Sequence, residues 1–479
     1  MTSADPPASP DPGDPQGLPP ELEKLWRDLT GGAELPDEVR QMLAGAGLQQ
    51  LDPQMMGLLT QQMQGLFGGS GGESGFDDER ATSMARTVAA AEGDPSITTA
   101  EQDRVRDSVR TADLWLDPVT DLAAPGLVGR AWSRAEWVEA TMARWADLVE
   151  PVSEGVADAV QGAIGRQLGR LGEGDLPAGL LPAGMNPAAM MGQVEGLMRR
   201  LHGGLFSAQV GQGVGTLATE VLSGCEPALP LVASPTVALL PRNISAFAEG
   251  LDLDGGEVML HVAAREAARA RLFHAAPWLG PHLLAAVRDY AAGIVIDTDA
   301  IEAGLAGVDP SDPEAMRSAL EGRLFAPPAR TSAQQRALTR LESTLALVEG
   351  WVDVVASAAV AGHLPHAEAL GEAVRRRRAG GGPAERTFGA LVGLELRPRR
   401  LRDAVNLFAA LEAAGGAGLR DSAWSHPDLA PSADDLDDPL GYVKRLTTPA
   451  TDGFDAELAD LLRGSTEGEA PGGRPPTDG

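Results

Sequence analysis

The chain is expected to be mainly α-helical, on three observations. Apolar residues recur every three or four positions in ERATSMARTVAAAEG and in AWSRAEWVEATMARWADLVEPVSEGVADAVQGAIGRQLGRL, both within a stretch from about residue 77 to 225. TSAQQRALTRLESTLALVEGWVDVVASAAVAG, residues 331–362, keeps the same period and opens with Thr-x-x-Gln, the capping pattern of a first helical turn. The third is an alanine-rich, charged stretch around HVAAREAARARLFHAAPWL, headed by Asp254 as a plausible cap with Glu257 three residues on. A minor β element is expected just before that helix, in ASPTVALLPRNISAFA, residues 233–248.

Taken in chain order, residues 1–20 hold seven prolines and no core-forming period, so they are expected to be a disordered tail. Residues 21–67 read as a short helical segment whose Met/Leu stripe, LDPQMMGLLTQQMQGLF, suits either a partner's groove or the chain's own body. A Gly/Ser linker comes next at 68–76, then a helical domain at 77–232 in which Trp132, Trp137 and Trp145 are expected to anchor the core. LPAGLLPAGMNPAAM, residues 176–190, reads as a loop. The domain carrying the two central helices is expected over 233–463, and a disordered tail over 464–479. Asp434, Asp435, Asp437 and Asp438 lack the glycine and distal glutamate of a calcium loop and read as solvated turn acids.

Composition excludes several functions. A formal charge of −29 disfavours nucleic acid and anionic membranes, both of which select for cations. The single cysteine, Cys225, excludes an intrachain disulfide and a cysteine-rich zinc site. MTSADPPASPDPGDPQ has neither the basic start nor the apolar run of a secretory signal, so a soluble, cytoplasmic protein is expected.

The charged helix carries the chemistry. At 100° per residue, Val258, Val262, Arg265, Arg269 and Leu272 share one stripe, with His261 and Glu266 on its flanks. REAAR has the spacing of the zinc-protease motif H-E-x-x-H, in which imidazoles at i and i+4 reach one ion and the glutamate polarises its water. Here arginine stands at both imidazole positions, and a guanidinium keeps its protons and donates no electron pair. Arg265 and Arg269 therefore either face solvent or, as their apolar neighbours favour, lie buried and require carboxylates. Glu349, in ALVEGWVDVV, is the first candidate, with Glu266 second. Further along, nine arginines fall within 28 residues: Arg375, Arg376, Arg377, Arg378, Arg386, Arg397, Arg399, Arg400 and Arg402. They read either as an anion or partner site or as internal partners for the acidic surplus.

PRNISAFAEGLDLD, HVAAREAARARLFHAAPWL, LALVEGWVDVV, RRRRAGGGPAERTFGALVGLELRPRRLRDA and SAWSHPDLAPSADDLDDP, in this order, resemble the zincin-like metallopeptidase family (type 2), over about residues 210–445. The resemblance implies a zincin-like helical core and a zinc-dependent protease or hydrolase. Glu266 then matches the general base and Glu349 a downstream glutamate, while Arg265, Arg269 and Trp351 stand where histidines are expected. The chain is thus expected to be a family member whose metal ligands are replaced, with no cofactor. It would act as a binding or regulatory module for a peptide or protein partner. The alternative is an active hydrolase with a displaced zinc site, held by His261 and Glu349 and served by Glu266 as base.

Overall fold

The first strand begins a pairing that spans the chain. In the computed structural model β1, Val128–Ala131, lies parallel to β2, Thr236–Leu239, with Val128 opposite Thr236 and Ala131 opposite Leu239. The structure describes residues 76–172, 187–293, 331–379, 389 and 400–448, with side chains described outside 156–202, 292 and 379. All of these belong to one unit, Gly71–Gly479. The tails, the Met-rich segment, the linker and Arg386, Arg397 and Arg399 lie outside the described residues, as does most of the loop expected at 176–190.

Most of the described residues are helical, in twelve helices, which is the mainly α class that the periodicity predicts. Helices α1 (Asp78–Ala89) and α2 (Thr99–Leu116) precede β1; α3 (Arg134–Gly172) and α4 (Pro187–Ala218) separate the two strands. Then come α5 (Pro241–Leu251), α6 (Gly255–Ala275), α7 (Leu279–Ala292), α8 (Ser332–Val360), α9 (Ala367–Ala379) and α10 (Leu401–Ser422). Two short helices, α11 (Ala433–Asp437) and α12 (Pro439–Thr447), come last.

Two local expectations need correction. The β element spans only Thr236–Leu239, because Pro241 opens α5 and turns NISAFA helical; proline at a first helical turn loses no hydrogen bond. The acids at 434–438 are not all turn residues either. Ser432 and Asp435 cap each other, so Asp434 and Asp435 sit in the first turn of α11, where carboxylates meet the positive end of the helix dipole.

Helix α8 is the axis of the molecule. It opens on the reciprocal Thr331–Gln334 cap and packs on α2, α6, α7, α9 and α10. It is long and apolar enough to cross a membrane, but 83% of its apolar window is buried inside the fold. It meets α10 backbone to backbone: a Cβ on Gly350 would lie 2.6 Å from the Ala404 Cβ. Helix α6 packs on α2, α5, α8, α9 and β2, and is buried nearly all round. Its small alanines make that possible, and its charges are therefore taken out of water. Trp137 and Trp145 are buried in the core, with Trp132 packed partly buried against it.

The strand pair also crosses the boundary drawn at 232/233. β1 lies on one side and β2 on the other, and one core cluster joins Trp145 and Val214 to Leu272 and Leu345.

Candidate functional site

Helix α6 presents Arg265, Glu266 and Arg269, and α8 presents Glu349 and Asp353 one turn apart. Helix α9 adds Arg375 and Arg378 from the run of four arginines. Glu349 has no solvent exposure, and Arg265, Glu266, Arg269 and Asp353 are all buried. Four guanidiniums and three carboxylates thus meet where three helices converge.

Each carboxylate is occupied. Glu349 accepts from Arg269 Nη2 through Oε1 at 2.8 Å and from Arg265 Nη2 through Oε2 at 3.0 Å. Arg378 Nη1 lies 3.1 Å from that same Oε2. Asp353 Oδ1 accepts from Arg265 Nη1 at 2.7 Å, and Oδ2 from Arg375 Nη1 at 3.3 Å. Burial pushes the Glu349 carboxyl up, but Arg378, Arg269 and Arg265 together overcome this and hold it at about 2. The Arg269 guanidinium, although burial opposes its charge, is raised above its ordinary value by Glu349 and Glu266. Each charge in this cluster is stable only because the others are present.

Glu266, the matched general base, is held differently. Its Oε1 accepts the Cys225 backbone N–H at 2.7 Å; its Oε2 accepts the Ser223 hydroxyl at 3.0 Å and Arg269 Nη1. The loop supplying those donors is pinned to the sheet. Gly224 N–H donates to Ala238 O at 2.9 Å, and the Trp137 indole donates to Gly224 O at 3.2 Å. A side chain at 224 would put its Cβ 2.7 Å from Val232 Cγ2, so glycine allows the loop to close on Glu266. Cys225 contributes only its amide: burial, then Glu266, pushes its thiol up to about 12.

His261, one turn before Arg265, is buried, and neither ring nitrogen has a partner among the described residues. Burial, then Arg265, lowers it to about 4, so it stays neutral at ordinary pH. Trp351, at the position of an expected histidine, points its indole N–H away to Asp421 Oδ1 at 2.8 Å. There Asp421 also accepts from Arg420, from the Thr120 hydroxyl and from Asp121 N–H. Residues 349 and 351 differ by 200° around α8, so this second polar cluster lies on the far side of the helix.

The rest of the arginine run is distributed among acids. Arg376 is exposed and pairs with Glu372; Arg377 pairs with Glu226 at 3.3 Å; Arg378 also donates to Glu226 O at 2.7 Å. Arg400 bonds Asp403 and Asp437 near α11. Three participants lay beyond the motifs. Asp353 was legible as the residue four positions after Glu349, on the same face of α8. The Ser223 hydroxyl and the Cys225 amide leave no sequence signal, because a loop brings them to Glu266 only through its contact with β2.

The chain belongs to the zincin-like metallopeptidase family, whose model matches residues 77–443. Its fold is similar to that of a proposed hydrolase with a novel fold from Chloroflexus aurantiacus. The two are 19% identical, with a TM-score of 0.53, over 78% of this chain and 98% of that one. The search of curated proteins returned no match.

A zinc ion does not suit the residues at this position. Among the described residues no group of three or more His, Cys, Asp or Glu side chains converges as a metal site. The carboxylates that could ligate an ion already accept from other donors: Glu349 from guanidiniums, Glu266 from the Cys225 amide, the Ser223 hydroxyl and Arg269. The cluster carries four fixed positive charges against three negative ones. With its charges balanced to within one unit on the positive side, the cluster offers a divalent cation no net attraction.

Proposed function

We propose that this chain is a metal-free branch of its family, in which guanidinium groups occupy the place of the ion. On this reading it works as a binding or regulatory module for a peptide or protein partner rather than as a hydrolase. One observation carries it: both oxygens of the fully buried Glu349 accept from arginines at the motif positions, Arg265 and Arg269. Glu266 in turn is 3% exposed and already accepts from three donors, which argues against a general base open to solvent.

A second reading, a hydrolase with zinc displaced toward His261 and Glu349, draws on the two unpartnered ring nitrogens of His261. It requires Glu349 to release a guanidinium, leaving that charge buried without its partner. Elemental analysis of the purified protein separates the two. The metal-free reading expects zinc well below one per chain and a thermal midpoint unchanged by EDTA. One zinc per chain, removed by EDTA together with stability, would overturn it.

A further inference from the structure

Away from the ion-pair cluster the molecule has a cavity of about 610 Å³, bounded by the N-terminal half of α8, the start of α7 and the segment from Trp424 to Ala433. It is of ordinary size for a small-ligand site. Its walls are graded. Ser343, Thr344, Leu347 and Trp424 are buried and form the inner surface, while Ser332, Gln335, Arg336 and Arg340 are exposed at the outer end. Trp278 and Trp424 form an aromatic corner with ring centroids 6.4 Å apart, held by the Trp278 indole donating to Trp424 O at 3.1 Å. Phe408 stacks behind Trp424 at 5.7 Å and His282 meets the Trp278 edge at 5.9 Å, so the corner is rigid.

Two polar features of this cavity have no use in the fold. The Trp424 indole N–H is buried without an acceptor among the described residues. Among the described residues Arg336 has no carboxylate partner, and Arg340 pairs with the exposed Asp289, a pair worth little in water. Two arginines one turn apart at the mouth of an apolar cavity stand out in a chain of charge −29. They would draw an anion to that end while the indoles take an apolar group at the other.

We propose that this cavity binds a flat apolar group bearing a carboxylate. The ring lies against Trp278, Trp424 and Leu347, and the carboxylate meets Arg336 and Arg340. Two sources share that chemistry: a free arylcarboxylic acid, or the C-terminal residue of a peptide ending in an aromatic side chain. Leu347 and Glu349 lie 200° apart on α8, so the site is independent of the buried cluster and of any metal there.

The test is calorimetric titration of the full chain with 2-naphthoate, and with 2-naphthylmethanol as its uncharged counterpart. Naphthoate is expected to bind saturably and to lose affinity about tenfold or more in the R336Q/R340Q variant, the range for charge-assisted hydrogen bonds. Naphthylmethanol is expected to bind more weakly and equally to both proteins. Both arginines are exposed, so the variant is expected to keep the wild-type unfolding midpoint. A blocked peptide ending in free Phe, against its amide, then distinguishes the sources. Binding of the free acid assigns a peptide terminus; binding of naphthoate alone assigns a small acid. Absence of saturable naphthoate binding, or an affinity indifferent to the arginines, would overturn the proposal.

Discussion

Glu349 concentrates the physics of the buried cluster in one side chain. It neutralises Arg265 and Arg269 directly and lies against Arg378, with no water to replace it. Removing it leaves three guanidiniums facing one another, so Glu349→Ala is expected to destabilise the fold by about 3–5 kcal/mol, the range for breaking a buried ion pair. Urea unfolding reads this directly, and a midpoint unchanged by the substitution would contradict the role assigned to the cluster. Glu349→Gln keeps the volume and loses the charge, and is expected to fall on the same side. The geometry also shows what the spacing of REAAR and VEGW could convey. Helical periodicity puts Arg265, Arg269 and Glu349 on inward stripes, and charge demands that such groups meet. The arginines from α9 were beyond reach, since a run of four arginines reads equally as a solvated face. Only the packing of α9 on α6 and α8 turns Arg378 inward and brings the part-exposed Arg375 to Asp353.

At the scale of elements, a close approach of two helices lies next to the cluster. Gly350 adjoins Glu349 and lets α10 come against the backbone of α8; a Cβ there would meet the Ala404 carbonyl carbon at 2.9 Å and the Val405 amide nitrogen at 3.0 Å. An alanine gains about 1 kcal/mol in helix propensity, but overpacking against backbone costs about 1–3 kcal/mol. Backbone cannot rotate away as a side chain can, so the clash wins and Gly350→Ala is expected to destabilise. A lower urea midpoint at unchanged slope would show it, and a higher midpoint would refute it. Helices of this kind were legible because their caps and periods are local: Asp254 heads α6 and Thr331 heads α8 as their sequences predict. Strand β1 was not, because VGRA has four residues and no alternation of its own. It is a strand only because β2 lies beside it.

For the molecule as a whole, acid is the revealing variable. An unfolded His261 takes its proton near the ordinary value of 6.5, whereas the folded one resists until about 4. Between those values the unfolded chain holds the extra proton, so stability falls as pH falls. The full effect is on the order of 3 kcal/mol. Glu349 acts in the same direction at lower pH, losing its contribution from about 4.5 down to about 2. The net charge of −29 works the other way, since acidification toward the isoelectric point near 4.6 relieves repulsion. A buried imidazole acts locally and unscreened, so it should prevail above that point. Urea midpoints at pH 7.5, 6.5 and 5.5 are expected to fall progressively in the wild type and to change less in His261→Gln. Parallel curves would refute this account of His261.

The four-residue strand pair carries a further consequence. Its partners come from either side of two long helices, and one of them, through Ala238, fastens the loop that grips Glu266. Neither portion of the chain therefore completes this pairing by itself. A recombination joint between Ala131 and Thr236 would separate the two edges of one ribbon, and the grip on Glu266 would go with it.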